Sequence, residues 1–336
     1  MSHYKLILKT ILTMLLCFLT IQGNFAQKKI KVMITSTADQ TQQPCYIILP
    51  RGYEKSNNAR KMPLLISLHS WSAGLEQAKP ELEKQATKLG WIYVFPHFRG
   101  PNQNPAACGS ELAQQDILDA VSWAKQNYNI DHSRIYLTGA SGGGHMTMLM
   151  VGRHPKIWTA ASAWVGISDL AQWHAYHKES RYGAMLRQSC GGAPGDSVKV
   201  DVQYHQRSPL PFLKNSSKVP LDIAAGIHDG HTGSVPISHS LLAFNEIAAA
   251  TGDRLITTNE MKQLSIPQGR LENPLPLDQE YDAALGRKIY LRRYAGQSRV
   301  TIFEGGHEGI TAAAIDWLKR FHRLEDGSIY DGSTQR

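Results

Sequence analysis

Short apolar runs of strand length alternate with longer segments of helical period through most of this 336-residue chain, and no other feature restricts the fold so tightly. The strand-like runs lie at 30–35, 46–49, 64–68, 92–95, 135–137, 160–165, 221–225 and 300–303. Between them come helical segments near 76–89, 111–126, 143–151, 237–250 and 311–321. In the second of these, Leu112, Ile117, Leu118, Val121 and Ala124 recur with helical spacing. Runs such as 64–68 are apolar at successive positions, which suits a strand covered on both faces. The alternation therefore predicts one α/β domain over 27–324 with a mostly parallel sheet between helical layers. Two stretches break the pattern: an irregular one at 168–218, and an insertion at 252–286 rich in proline, asparagine and charge. Residues 325–336 are expected to be a polar tail.

The first 26 residues belong to a different class. Lys5 and Lys9 precede an apolar run over 11–21, followed by Gly23 and Ala26. This is the pattern of an export signal with cleavage near Ala26, and the run is too short to span a membrane as a helix. Leu16 stands where lipoprotein processing at Cys17 would need a small residue. The expected product is secreted or periplasmic, with no stable membrane insertion. Its 34 basic and 28 acidic residues leave a charge of +6, which favours anionic partners without naming one. No dense basic tract interleaves with aromatics, so nucleic acid is not indicated.

Three cysteines remain after cleavage: Cys45, Cys108 and Cys190. Cys45 sits in an apolar run and reads as a buried thiol. Cys108 and Cys190 occupy loop-like segments and are the candidate disulfide, the alternative being three unpaired thiols. Their wide separation lacks metal-ligand spacing, so no metal is expected.

The chemistry starts from Gly139-Ala140-Ser141-Gly142-Gly143, which follows a short strand and opens an apolar helix. Glycines flanking a serine at such a turn allow a crowded bend that exposes the hydroxyl, and the helix N-terminus favours developing negative charge. A serine needs a base, and the base needs an orienting acid. Of 14 histidines, His307 directly follows the run at 300–303, where a general base would sit. His145, inside the helix after Ser141, and His322, in the final helical segment, read as structural. Asp229 follows the run at 221–225 and is the expected acid, with Asp169 as its rival after the preceding strand. The oxyanion donors are expected to be the N–H of Gly142 and, from the loop after 64–68, that of Trp71, with Ser70 as the alternative.

The run from Asp131 to His145, the Arg207-Ser208-Pro209-Leu210 segment and Phe303-Glu304-Gly305-Gly306-His307 together resemble the prolyl oligopeptidase-like hydrolases and related carbohydrate esterases. The resemblance covers about 40–322. It implies an α/β-hydrolase fold with Ser141, Asp229 and His307 as nucleophile, acid and base. The chain departs from the family's pattern in two places. His69-Ser70 stands where His-Gly is usual, and five residues instead of two separate Asp229 from Val235-Pro236.

A compact exported member of this group, without room for a propeller domain, resembles esterases that remove acetyl, feruloyl or methyl esters from plant polysaccharides. Such chemistry needs no cofactor. The stretch 168–218 leaves the sheet at the active end and is the expected lid. Within it Trp173, Arg181 and Arg187 are the candidate substrate-binding residues, suited to sugar stacking and to a uronate carboxylate. Topology does not bring 252–286, or the basic segment 287–299, near Ser141. A serine peptidase and a non-catalytic carbohydrate-binding relative are the competing functions.

Overall fold

Nine strands form one continuous sheet, and their order follows from which of them are apolar on both faces. The computed structural model describes residues 29–53 and 60–335, so the expected export signal lies outside the described residues. The strands are β1 (Lys29–Thr35), β2 (Gln42–Ile48), β3 (Met62–Leu68), β4 (Ile92–Pro96), β5 (Ile130–Ala140), β6 (Ala160–Trp164), β7 (Leu221–Gly226), β8 (Ile289–Ala295) and β9 (Ser298–Phe303). Their spatial order is β1-β2-β4-β3-β5-β6-β7-β9-β8. From β4 to β9 every neighbouring pair is parallel, while β1, β2 and β8 are antiparallel additions at the two edges. Strands β4, β6, β7 and β9 are buried along their whole length, as expected where helices cover both faces. By contrast β1 alternates in exposure along its length.

The helices that complete the layers begin where local chemistry favours it. Helix α1 (Pro80–Lys88) starts on a proline, whose missing N–H costs nothing in the first turn. Ser110 caps α2 (Glu111–Asn127) by accepting the N–H of Ala113 at 3.1 Å. Helix α3 (Gly142–Arg153) is buried from Gly142 through Gly152 and forms the centre of the main core.

The stretch 168–218 is not irregular. It folds into α4 (Leu170–Tyr176), α5 (Arg181–Cys190) and α6 (Val198–Arg207), followed by a 3₁₀ turn over Leu210–Ser216. These helices share a separate apolar cluster with Trp71 and Val235. Helix α7 (Ser238–Thr251) leads into the insertion, which contains α8 (Thr258–Leu264).

Three expectations about this architecture need correction. Strand β8 was not anticipated, because two arginines interrupt its apolar pattern; both are buried against Asp278, Asp282 and Glu260. The last helix, α9 (Thr311–Leu318), stops short of His322, which lies in β10 (Phe321–Arg323). The expected polar tail pairs back through β11 (Ile329–Asp331), and the His322 ring packs against that of Tyr330, tilted, with centroids 4.7 Å apart. No helix among the described residues is long and apolar enough to cross a membrane.

Candidate active site

The end of β5 and the start of α3 meet at Ser141, whose backbone has φ 60° and ψ −121°. A non-glycine residue in this region is strained, and the strain is held by packing on every side. A Cβ on Gly139 would lie 2.4 Å from the Gly143 backbone, and one on Gly142 would lie 2.4 Å from the Trp71 nitrogen. The flanking glycines are therefore steric requirements of the turn.

That second contact also brings the expected oxyanion donors together. The N–H of Gly142 begins α3, where first-turn N–H groups have no intrahelical acceptor. The N–H of Ser70 is taken by Gln77 Oε1 at 2.8 Å, whereas that of Trp71 makes no hydrogen bond among the described residues. Gln77 thereby removes Ser70 from contention, a role its sequence context did not reveal.

The expected acid and base lie just beyond the ends of β7 and β9. Asp229 is buried, and its Oδ2 lies 2.8 Å from His307 Nδ1. Its other oxygen accepts the N–H groups of Gly230 at 3.0 Å and Val235 at 3.1 Å. Nδ1–H is thus the donor to the carboxylate, which leaves Nε2 free to take a proton. The rival Asp169 instead caps α4 through the N–H groups of Ala171 and Gln172. Gly309, two residues after His307, sits so close to the elbow that a Cβ there would lie 3.5 Å from that of Ala140. His307 Nε2 is 3.5 Å from Ser234 Oγ, and Ser141 Oγ makes no hydrogen bond among the described residues. Catalytic hydrogen bonds are often long before substrate tightens them.

The unusual spacing after Asp229 has a structural basis. Residues 230–234 loop out and return so that Val235 still donates to Asp229. On the way Gly233 passes so near that a Cβ would sit 2.2 Å from Asp229 Oδ1 and 2.7 Å from His307 Cβ. Helix α4 of the expected lid and the residue after it hold this loop from outside: Trp173 Nε1–H donates to the Ser234 carbonyl at 2.8 Å, His177 Nε2 contacts the same oxygen at 2.7 Å, and the Tyr176 hydroxyl donates to the Gly230 carbonyl.

These contacts revise the expected binding residues. Trp173 is buried against Trp71, with ring centroids 4.6 Å apart, so it belongs to the lid's core and offers no face to a sugar. Arg187 donates to the Lys178 carbonyl at 2.9 Å and lies 3.2 Å from His174 Nε2, turned into the lid itself. Arg181 is exposed, over the Tyr182 ring at 4.8 Å. The expected Cys108–Cys190 disulfide is not formed: both are free thiols, buried side by side in the lid cluster. Burial pushes the Cys108 thiol well up, while its hydrogen bond to Cys190 lowers the Cys190 thiol.

His145 is structural, as expected. It is buried, its Nε2 lies 2.8 Å from the Arg207 carbonyl, and burial lowers its pKa to about 4. Among the described residues no group of three or more His, Cys, Asp or Glu side chains is placed to hold a metal ion.

A model of the prolyl oligopeptidase family matches residues 81–263. Acetylxylan esterase A of Emericella nidulans is 23% identical over 194 residues, covering 55% of this chain and 56% of that one. Feruloyl esterase B of Neurospora crassa is 28% identical over 132 residues, covering 34% and 43%. The chain thus spans about half the length of these relatives. Among solved structures, the acylaminoacyl peptidase of Pyrococcus horikoshii superposes with a TM-score of 0.56 at 18% identity, over 71% of this chain and 37% of that one.

Proposed function

The chain belongs to the prolyl oligopeptidase family and has the α/β-hydrolase fold, and from that premise we propose that this serine hydrolase is an exported carboxylic-ester hydrolase of plant polysaccharides. The observation that carries the catalytic part is the hydrogen bond of buried Asp229 to the partly exposed His307, 2.8 Å long, on the loops beside a strained strand-to-helix serine. The similarity to proteins named acetylxylan and feruloyl esterase supports an acetyl or feruloyl ester as substrate, with a methyl-uronate ester as the third candidate.

In this reading Ser141 Oγ attacks the ester carbonyl while His307 Nε2 accepts its proton. Asp229 stabilises the imidazolium through Nδ1–H and keeps the ring oriented. The N–H groups of Gly142 and Trp71 receive the oxyanion, and His307 returns the proton to the departing alcohol, the sugar for an acetyl or feruloyl ester and methanol for a methyl uronate. Water then repeats the sequence on the acyl-enzyme.

The test is a substrate screen with purified wild-type protein and Ser141→Ala. Acetyl, feruloyl and methyl-uronate esters should be cleaved faster than aminoacyl-nitroanilides. Ser141→Ala should fold normally and lose on the order of 10⁴–10⁶ in turnover. Preferred cleavage of the nitroanilides would make the protein a peptidase, the reading favoured by its likeness to acylaminoacyl peptidase. Undiminished hydrolysis by Ser141→Ala would remove the serine mechanism altogether.

A further inference from the structure

A cleft of about 600 Å³ lies between the insertion and the start of β8, a region the sequence pattern did not connect with the active site. The register does connect them. Ile289 pairs with Phe303, and the Lys288 carbonyl accepts the N–H of Glu304 at 2.8 Å. The cleft therefore opens at the same sheet edge from which the His307 loop departs. Arg287, on its wall, lies 3.6 Å from the carboxylate of Glu308, the residue after His307.

Charge distinguishes this cleft from the rest of the sheet edge. Further along the edge, Arg292, Arg293 and Arg299 are buried and matched by Asp282, Asp278, Glu260 and Asp222. The cleft's own cations, Arg270, Arg287 and Lys288, are all exposed. Among the described residues neither Arg270 nor Lys288 has a carboxylate within salt-bridge distance. Of the two acids on the lining, Asp278 is buried and committed to Arg293; with Arg287 paired to Glu308, the exposed Glu280 stands against two unmatched cations, Arg270 and Lys288. Such an excess in a concave site concentrates anions.

The cations are also held in place. The Arg270 guanidinium sits 4.0 Å from the Tyr290 ring centroid and the Lys288 ammonium 5.0 Å from it. Arg270 Nη2 donates to the Tyr290 hydroxyl at 3.1 Å, and that hydroxyl donates to Glu304. The other oxygen of Glu304 lies 2.6 Å from His228 Nε2, and His228 adjoins Asp229. The ring that organises the cleft is thus tied to the loop that carries the acid. At the rim Tyr281 is 84% exposed, an aromatic face able to lie against a pyranose ring.

We propose that this cleft is a subsite for a carboxylate-bearing sugar, a uronate unit of the oligosaccharide whose ester is attacked at Ser141. A planar carboxylate can take two parallel N–H bonds from Arg270 or Arg287 and a further one from Lys288. Binding a unit remote from the reacting bond supplies orientation at the bond itself. The choice of a polysaccharide rests on the esterase reading. The anion site rests on its own residues.

The experiment is calorimetric titration of the whole protein with trigalacturonate, against the same trisaccharide with its carboxyls reduced to alcohols. Trigalacturonate carries no ester, so the result is independent of catalysis. The acid should bind and the reduced sugar should not, with affinity falling as salt is raised. Arg270→Ala and Lys288→Gln should each weaken binding about tenfold, the loss of one charge-assisted hydrogen bond. Lys288 is exposed and Lys288→Gln keeps its stem, so an unchanged melting temperature is expected for that variant even if Arg270→Ala disturbs the Tyr290 packing. Unaltered affinity in folded Lys288→Gln, or displacement of trigalacturonate by inorganic sulfate at equal concentration, would overturn the proposal. A protein that binds trigalacturonate but cleaves no ester would remove the esterase reading and leave the subsite standing. An active esterase that ignores the acid would do the reverse.

Discussion

Asp229 commits both of its oxygens to its neighbours: one takes the N–H groups of Gly230 and Val235, the other faces His307 Nδ1. An amide in its place would keep the shape but offer either an N–H₂ toward the imidazole or one toward two backbone donors. Asp229→Asn should therefore fold yet lose on the order of 10⁴ in turnover, through the wrong imidazole tautomer. Asp169→Asn should change turnover little, because asparagine caps a helix about as well as aspartate. Steady-state kinetics of the two variants decide the matter, and the opposite ranking would move the acid to the earlier strand. Sequence spacing alone left these two aspartates in competition, since both follow a strand. What separates them is where each carboxylate finds its hydrogen bonds. The same holds for Trp71 and Ser70, told apart by one contact from Gln77.

At the scale of elements, the pattern of alternating runs was enough to place Ser141, His307 and the sheet between them. It failed where burial depends on tertiary partners. The arginines of β8 disguised a strand because their aspartate partners lie elsewhere in the chain. The aromatics of the lid suggested a sugar platform, yet Trp173 is buried and Tyr176 and His177 are used to grip residues 230–234. That grip makes the acid loop a fitted part with no slack at Gly233. A Cβ there would stand 2.2 Å from Asp229 Oδ1, too close for the pair to keep its place. Gly233→Ala should lower turnover by about 100-fold, the scale of loss caused by an ångström of misplacement. The melting temperature should change far less, because 230–234 lie outside the sheet. Normal turnover in a folded Gly233→Ala protein would show that the loop can yield without moving Asp229 or His307.

Over the whole molecule, the layers that position the site also bury histidines that must stay neutral. His145 and His239 are 0% and 1% exposed on either side of the lid junction. His239 Nδ1 faces the N–H groups of Ser168 and Asp169 at 3.4 Å, which requires an unprotonated nitrogen there. Burial lowers the pKa to about 4 for His145 and to about 3 for His239, against about 6.5 in the unfolded chain. Below pH 6.5 the unfolded chain binds these protons and the folded one does not, so stability falls with pH until the folded values are reached. At pH 5 each histidine should have cost about 2 kcal/mol relative to pH 7.5. The aspartates and glutamates with lowered pKa values add their own loss only below about pH 4.5, and the half-buried Lys79, lowered to about 8, is mostly charged across the window. His69, also buried and lowered to about 4, adds a third such contribution, so urea denaturation at pH 7.5 and pH 5 should differ by about 6 kcal/mol. His239→Gln, which keeps an acceptor for the two N–H groups, should fold with a smaller difference. Equal stability at the two pH values would mean that all three histidines titrate as exposed groups, and that the packing of the lid against the sheet is looser than the one described.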